Sequence, residues 1–311
     1  MPSSLTIDSQ TSCLFPADKI CPFSIAWWNT SLDPYGNKTD KAPLNVDNIR
    51  KGILWLCSHF DVVVLGEYVD QHELRNDLTR LNASILDSCE PRHMEVVDIH
   101  DSCGRMEFRN LLIVNRIRVA CDELCCKNIT NPGHEGRSYR IGQKIPIRIE
   151  SSTPIDLFIV HWRQYGETDS SLIKIRAAHC LAQEIASSTT PFRICLGDFN
   201  AEPYSECLVE LNSSRSESFA KRTNNLFNPF WRFLHGEGTL RYSNYERLRC
   251  DSPHFDQILI SNGFLKAEPF SIHAGIIDPE TSLWESLSFF KPRRGQHKPV
   301  FLTITPNQTK P

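Results

Sequence analysis

The chain has 311 residues, 40% of them hydrophobic and 23% charged, with a formal net charge of -3 at pH 7. Such a composition is ordinary globular usage and excludes disordered and fibrous classes. Near-neutrality excludes a generally basic molecule, so any grip on phosphate has to come from a local cluster of cations.

The opening segment MPSSLTIDSQTSCLFPADKI has no basic start leading into an apolar core. No later run reaches the length of a membrane span, and the expectation is a soluble, cytoplasmic protein with no membrane span. Residues 1–20 read as an N-terminal extension, 21–305 as a single domain without a linker or repeat, and 306–311 as a C-terminal tail. Twelve cysteines are scattered along the chain, which suits reduced thiols. Cys121, Cys125 and Cys126 form the one cluster, and no second ligand pair at finger-like spacing accompanies it.

FSIAWWN reads as a strand that delivers Asn29, also the first residue of an Asn-Thr-Ser sequon. Val46, Ile49, Ile53, Leu56 and Phe60 then share one helical face. DVVVLGE is a β-branched run that delivers Glu67, and Leu74, Leu78, Leu81 and Ile85 mark a second helix. MEVVDIH, NLLIVNR and IPIRIE follow as strands, and IDLFIVHW ends at His161. A third amphipathic face carries Ile173, Ala177, Leu181 and Ile185, and RICLGDFN runs an apolar strand into Asp198 and Asn200. Asn212 to Asn228, rich in Ser, Asn and Arg, reads as a long surface loop. HFDQILIS begins with Asp256 close to its start, and GQHKPVFLTI sets His297 before the last strand. Helices packed outside sheets are the architecture these elements imply.

Taken alone, Asp198 and Asn200 could simply build a turn, because Asp and Asn hydrogen-bond their own backbone. That explanation then has to be repeated for Asn29, Glu67, His161, Asp256 and His297, each at a strand end. Loops at strand ends, held by a rigid sheet, are where catalytic groups concentrate. The collection also has one chemistry. An amide and carboxylates are hard oxygen ligands suited to Mg2+ or Mn2+, two histidines can donate to a phosphoryl group, and one carboxylate can orient water. The remaining histidines fit no such pattern and read as structural or surface groups.

Carried by WWNTS, LGEYVD, IVHW, IRAAHCLAQEI, LGDFNAEP, GTLRY, FDQILIS and QHKPV in that order, the chain resembles the endonuclease/exonuclease/phosphatase superfamily, the relatives of DNase I and exonuclease III. GDFNAEP is the most specific of these segments. The resemblance implies an α/β (α+β) fold, a four-layer α/β/β/α sandwich of two mixed sheets with helices outside. It also implies that Asn29 and Glu67 hold the divalent metal, that His161 and Asn200 bind the scissile phosphate, and that Asp198 orients and deprotonates the attacking water. Asp256 would then hold His297, which stabilises charge on the phosphoryl oxygens. Gln296 departs from the pattern, since relatives place an Asp immediately before the final histidine, and it stands as a possible metal or site-shaping residue.

Arg163 follows the HW pair, Arg109 and Arg116 flank a strand, and KPRRGQHK packs Lys291, Arg293, Arg294 and Lys298 around His297. These charges are either an ordinary solvated loop or a rim that grips the flanking phosphates of a polymer. The reading favoured is a metal-dependent phosphodiester hydrolase, a nuclease (endonuclease) with DNA or RNA as partner and Arg163, Arg293 and Arg294 on the substrate. The alternatives are a phosphatase or phosphodiesterase on a small or lipid phosphate, of inositol phosphate or sphingomyelin type, and a catalytically impaired binding module.

Overall fold

The computed structural model describes residues 21–32, 46–68, 71–85, 91–99, 101–103, 106–121, 123–132, 138–150, 153–162, 170–236, 238–239, 253–266, 270–277 and 296–306. In chain order the elements are β1 (Phe23–Asn29), α1 (Val46–His59), β2 (Val62–Gly66), α2 (Gln71–Ile85), β3 (Met94–Val97), β4 (Asp101–Cys103), β5 (Met106–Phe108) and β6 (Asn110–Asn115). There follow β7 (Val119–Cys121), β8 (Lys127–Pro132), β9 (Ser138–Ile149), β10 (Thr153–His161), α3 (Ser170–Ala186), β11 (Arg193–Asp198), α4 (Glu206–Glu210) and β12 (Ser213–Ser214). Last come α5 (Glu217–Arg222), β13 (Leu226–Phe227), β14 (Asp256–Ile260), α6 (Asn262–Lys266), β15 (Phe270–Ile276) and β16 (Val300–Pro306).

The central strands are apolar on both sides because both sides are covered. Along β1, Ile25 and Trp27 point into the space between the sheets, while Ala26 and Trp28 point outward under the helices. One sheet has the order β15-β16-β1-β2-β6-β3, and the larger runs β12-β13-β14-β11-β10-β9-β7 with β8 added on β9. Both are mixed: β1 is parallel to β2 and antiparallel to β16, and β10 is parallel to β11 while β14 runs antiparallel to it.

Three cores give four layers. Ile25, Trp27, Val62 and Val64 of one sheet meet Ile145, Leu157, Ile159, Leu196 and Ile258 of the other. Outside the first sheet, Ile49, Ile53 and Leu56 of α1 and Leu74 and Leu78 of α2 cover Ala26, Trp28, Val63 and Leu65. Outside the second, Ala177, Ala178, Leu181 and Ile185 of α3 and Leu208 of α4 cover Phe158, Val160, Cys195 and Leu259. The result is the α/β/β/α sandwich expected from the sequence.

The segment from Asn212 to Asn228 is not a loop: it contains β12, α5 and β13. Its polar residues are spent on local backbone groups. The Ser216 side chain accepts from the Phe219 amide at 3.2 Å and caps α5, and Asn228 is buried with its Nδ2 donating to Gln257 Oε1 at 2.8 Å. Leu211, Ala220 and Leu226 anchor the segment in the core.

Candidate active site

Strand register puts the polar residues at one end of both sheets. Asn29 pairs with Gly66 across the parallel β1/β2 ladder, so Asn29 and Glu67 emerge together. His161 pairs with Asp198 across β10/β11, and Asp198 pairs with Asp256 across β11/β14. Side chains then bridge the two sheets. Asn29 Nδ2 donates to Asp198 Oδ2 at 3.1 Å, Glu67 Oε1 lies 3.2 Å from His161 Nε2, and Trp27 Nε1 donates to Asp256 Oδ1 at 2.8 Å. His297 Nδ1 donates to Asp256 Oδ2 at 2.6 Å. Its carbonyl accepts from Trp28 Nε1 at 3.1 Å. The two tryptophans of β1 point to opposite faces of the sheet and converge on the same Asp256–His297 pair.

The backbone holding these groups is specialised. Gly197 has φ 145, and a Cβ there would lie 1.9 Å from the Val160 carbonyl oxygen, so only glycine allows β11 this close to β10. Glu67 (φ 54) and Asn200 (φ 46) occupy left-handed conformations, unusual for non-glycine residues and common at functional turns. Glu67 is fixed through its amide, which donates to the Arg109 carbonyl at 3.1 Å, and the Thr30 hydroxyl bonds the Gly66 carbonyl at 2.9 Å. Asn200 donates from its amide to Asp198 Oδ1 at 2.8 Å and from Nδ2 to the Trp162 carbonyl at 2.6 Å. Its own carbonyl accepts from Lys174 Nζ.

Asp198 is buried, and its pKa is raised chiefly by desolvation and further by the Asp256 charge, against the opposing pull of His297 and His161. For His297, burial favours the neutral ring. The charge and hydrogen bond of Asp256, helped by Asp198 and Glu67, more than reverse this and lift its pKa to about 9. His161 Nε2 and His297 Nε2 each stand 3.9 Å from Asp198 Oδ2.

No family model matches the chain, and no curated protein matches it. Solved structures do. TDP2 of D. rerio complexed with a single-strand DNA product is 17% identical with a TM-score of 0.57, covering 91% of this chain and 99% of that one. The human Nocturnin catalytic domain with bound sulfate anion is 14% identical with a TM-score of 0.55, covering 92% and 95%. An endonuclease/exonuclease/phosphatase from Bacteroides vulgatus is 12% identical with a TM-score of 0.53, covering 93% and 100%. The chain has the endonuclease/exonuclease/phosphatase fold. At these identities the likeness is one of architecture, and what the site does rests on its own residues.

On this endonuclease/exonuclease/phosphatase scaffold the donor set can be tested against a divalent cation. Among the described residues, Asp198, Asp256 and His297 offer ligand atoms all within 4.8 Å of one another. That trio already carries its own cation, because the imidazolium of His297 sits on Asp256. Glu67 lies against His161 with its side chain 27% exposed, and the Asn29 amide is beside Asp198. Asp198 and Asp256 are buried side by side, and the energetic cost of ionising Asp198 there suits an added positive charge. The residues fit a hard divalent ion with oxygen ligands.

Asn29, Glu67, His161, Asp198, Asn200, Asp256 and His297 are thus gathered at one rim, with buried Gln296 next to His297. Arg163, Arg293 and Arg294, and with them Lys291, lie outside the described residues. Arg116 is committed to Glu95 at 2.9 Å, well placed as a surface ion pair. Sequence reasoning missed Trp27 and Trp28 as hydrogen-bond donors, Thr239, whose Oγ1 accepts from the Asp256 amide at 3.1 Å, and Lys174. The WW doublet just before Asn29 was the one available signal, since paired indoles at a strand end bring two N–H donors that need partners.

Proposed function

We propose that the chain is a divalent-metal-dependent phosphodiester hydrolase acting on nucleic acid as a nuclease, most simply an endonuclease. The observation that carries the reading is the buried Asp198 carboxylate ringed by Asn29, His161 and His297 at the common end of both sheets. A surface turn has no use for a desolvated carboxylate between two imidazoles. The D. rerio neighbour holds a single-strand DNA product, which supports a nucleic-acid substrate on the same fold.

Glu67 and Asn29 are the residues that would hold Mg2+ or Mn2+. Such an ion supplies Lewis acidity, drawing charge from a phosphate oxygen and favouring ionised Asp198. In its carboxylate form, Asp198 accepts a proton from a water positioned for in-line attack, with its orientation fixed by the Asn200 amide on Oδ1 and the Asn29 amide on Oδ2. Imidazolium Nε2–H of His297 and the ring of His161 face the same space, where they bind the non-bridging oxygens and hold the charge that grows on them. Asp256 keeps His297 protonated and oriented, and Trp27 keeps Asp256 in place. As the water oxygen bonds to phosphorus, the P–O bond to the leaving oxygen breaks on the opposite side and that oxygen takes its proton from solvent; the protein contributes stabilisation of charge and placement of water, not covalent chemistry.

The test is purified protein with Mg2+ or Mn2+ against single-stranded DNA, plasmid DNA, RNA and inositol phosphates, with an EDTA control. Metal-dependent cleavage of a polynucleotide is the expected result. Release of phosphate from the inositol compounds alone would move the substrate to the small-phosphate class, and inertness toward every substrate under every metal would overturn the hydrolase reading.

A further inference from the structure

Away from the hydrolytic rim, a cleft of about 410 Å³ opens between edge strand β15 of one sheet and the β13 side of the other. That volume falls within the range of roughly 300–1,000 Å³ usual for small-molecule sites. Its walls include Phe264 and Phe270, and its mouth carries Arg215, Trp231 and Arg232 with Glu217 as the one acid.

The polar groups there are donors in search of acceptors. Among the described residues no side chain hydrogen-bonds or ion-pairs with Arg215, whose guanidinium lies 5.8 Å from the Trp231 ring centroid. Among the described residues Trp231 Nε1 is buried with no hydrogen-bond partner. Arg232 gives one N–H to the Ala274 carbonyl and lies 4.7 Å from the Phe233 ring centroid, and among the described residues the rest of its fork has no partner. Two guanidiniums lining one cleft, one of them beside an indole ring, suit an anionic acceptor.

Aromatic rings connect this cleft to the catalytic loop. Tyr204, 59% exposed, meets Trp231 edge to face with centroids 6.3 Å apart. It follows Asn200 by four residues, a reach of at most ~14 Å at ~3.5 Å per residue. Gln257, next to Asp256, ties the two regions from beneath by bonding the Ala201 carbonyl at 2.7 Å and Asn228 at 2.8 Å. An exposed tyrosine against a half-buried tryptophan, with arginines alongside, is the kind of surface on which single-stranded nucleic acid stacks its bases and neutralises its phosphates.

We infer that Tyr204, Trp231, Arg215 and Arg232 form a nucleotide-binding subsite outside the hydrolytic centre, holding a nucleotide of the single strand beyond the scissile bond. This rests on the nuclease reading above. A nucleobase lies against Tyr204 and Trp231, and a phosphate takes the Arg215 fork. The same chemistry could be supplied by a free nucleoside monophosphate, so both sources enter the test.

The experiment uses the full chain, with Arg215→Gln, Trp231→Phe and Trp231→Ala variants checked for folding by circular dichroism. Binding of an oligodeoxythymidylate of about ten nucleotides, within the ~4–16 that single-strand sites span, is measured in EDTA so that nothing is cut. Arg215→Gln and Trp231→Ala should each weaken it about tenfold, the Arg variant should also flatten its salt dependence, and Trp231→Phe should show an intermediate loss. Thymidine monophosphate is titrated against tryptophan fluorescence. A saturable quench that disappears in Trp231→Phe assigns the site to free nucleotides as well, and quenching by the oligomer alone assigns it to the polymer. Hydrolysis of bis(p-nitrophenyl) phosphate with Mn2+, a substrate too small to reach the cleft, should be unchanged in all variants. Unaltered oligomer affinity in Arg215→Gln and Trp231→Phe, both folded, overturns the subsite even while the small diester is still cut. Wild-type protein inert toward the small diester would instead count against the hydrolase reading, leaving the binding losses to decide the subsite separately.

Discussion

Replacing Asp256 by Asn removes one charge from the least exposed part of the site and leaves its shape nearly intact. In the native site His297 has a pKa of about 9, because Asp256 at 2.6 Å, with help from Asp198 and Glu67, outweighs the burial that favours a neutral ring. At about pH 7.5 that ring is about 97% protonated. In the Asp256→Asn variant the burial remains and the largest favourable partner is gone, so the pKa should fall to the ordinary value of ~6.5 or below, a change on the order of 3 kcal/mol. The protonated fraction at about pH 7.5 then drops below about one tenth. The sign for stability follows: a raised pKa stabilises the fold fully below ~6.5, and this is lost as pH rises through about 9. The gap in unfolding free energy between wild type and variant should therefore be widest in mild acid and close above about pH 9. Two assays read this: NMR titration of the imidazole C–H resonances in EDTA-treated protein, and the pH dependence of kcat with metal. The alkaline limb of the rate should move to lower pH in the variant. A His297 resonance that still titrates near 9 in the variant would refute the assignment of its charge to Asp256.

Glu67→Gln should raise the Mg2+ or Mn2+ concentration needed for half-maximal turnover without altering the urea midpoint; full activity in EDTA would remove Glu67 from the metal. Gln296→Asp adds a carboxylate beside His297 and should tighten the metal about tenfold, ~1.4 kcal/mol, by calorimetric titration. An unchanged affinity would mean that position 296 does not face the ion. Gly197→Ala places a Cβ 1.9 Å from the Val160 carbonyl oxygen at φ 145 and should cost ~3 kcal/mol or more in urea unfolding, with loss of activity as Asp198 is displaced. A cost under ~1 kcal/mol would show that β10 and β11 can part freely there.

Nine strands were legible because each is a short run of β-branched or apolar residues, either continuous or alternating with polar ones, and three helices because their apolar residues fall at helical spacing. The short edge pieces β12 and β13 were not, since two residues carry no period and their segment is dominated by capping serines and asparagines. In the rim, Asn29, Glu67, His161, Asp198 and Asp256 were findable because each closes or opens a strand, so local sequence alone put them at sheet ends. Their supports were not. Trp27 reaches Asp256 across 229 residues, Trp28 reaches the His297 carbonyl across 269, and Lys174 comes from a helix behind the loop. No local pattern encodes a partner at that separation. The cleft at Trp231 was invisible for the same reason, because it exists only where the edges of two sheets meet.

Asp198 is where the whole account converges, and a single-turnover assay of Asp198→Asn on a 5′-labelled single-stranded oligonucleotide with Mn2+ tests it most directly. Oligonucleotide affinity in EDTA should stay close to wild type, because Asn keeps the shape of the side chain and one of the two hydrogen bonds that Asp198 accepts, while the cleavage rate should fall by at least ~100-fold, the scale of a lost general base. A variant that cleaves at a rate comparable to wild type would contradict the account and leave Asp198 as a buried turn residue.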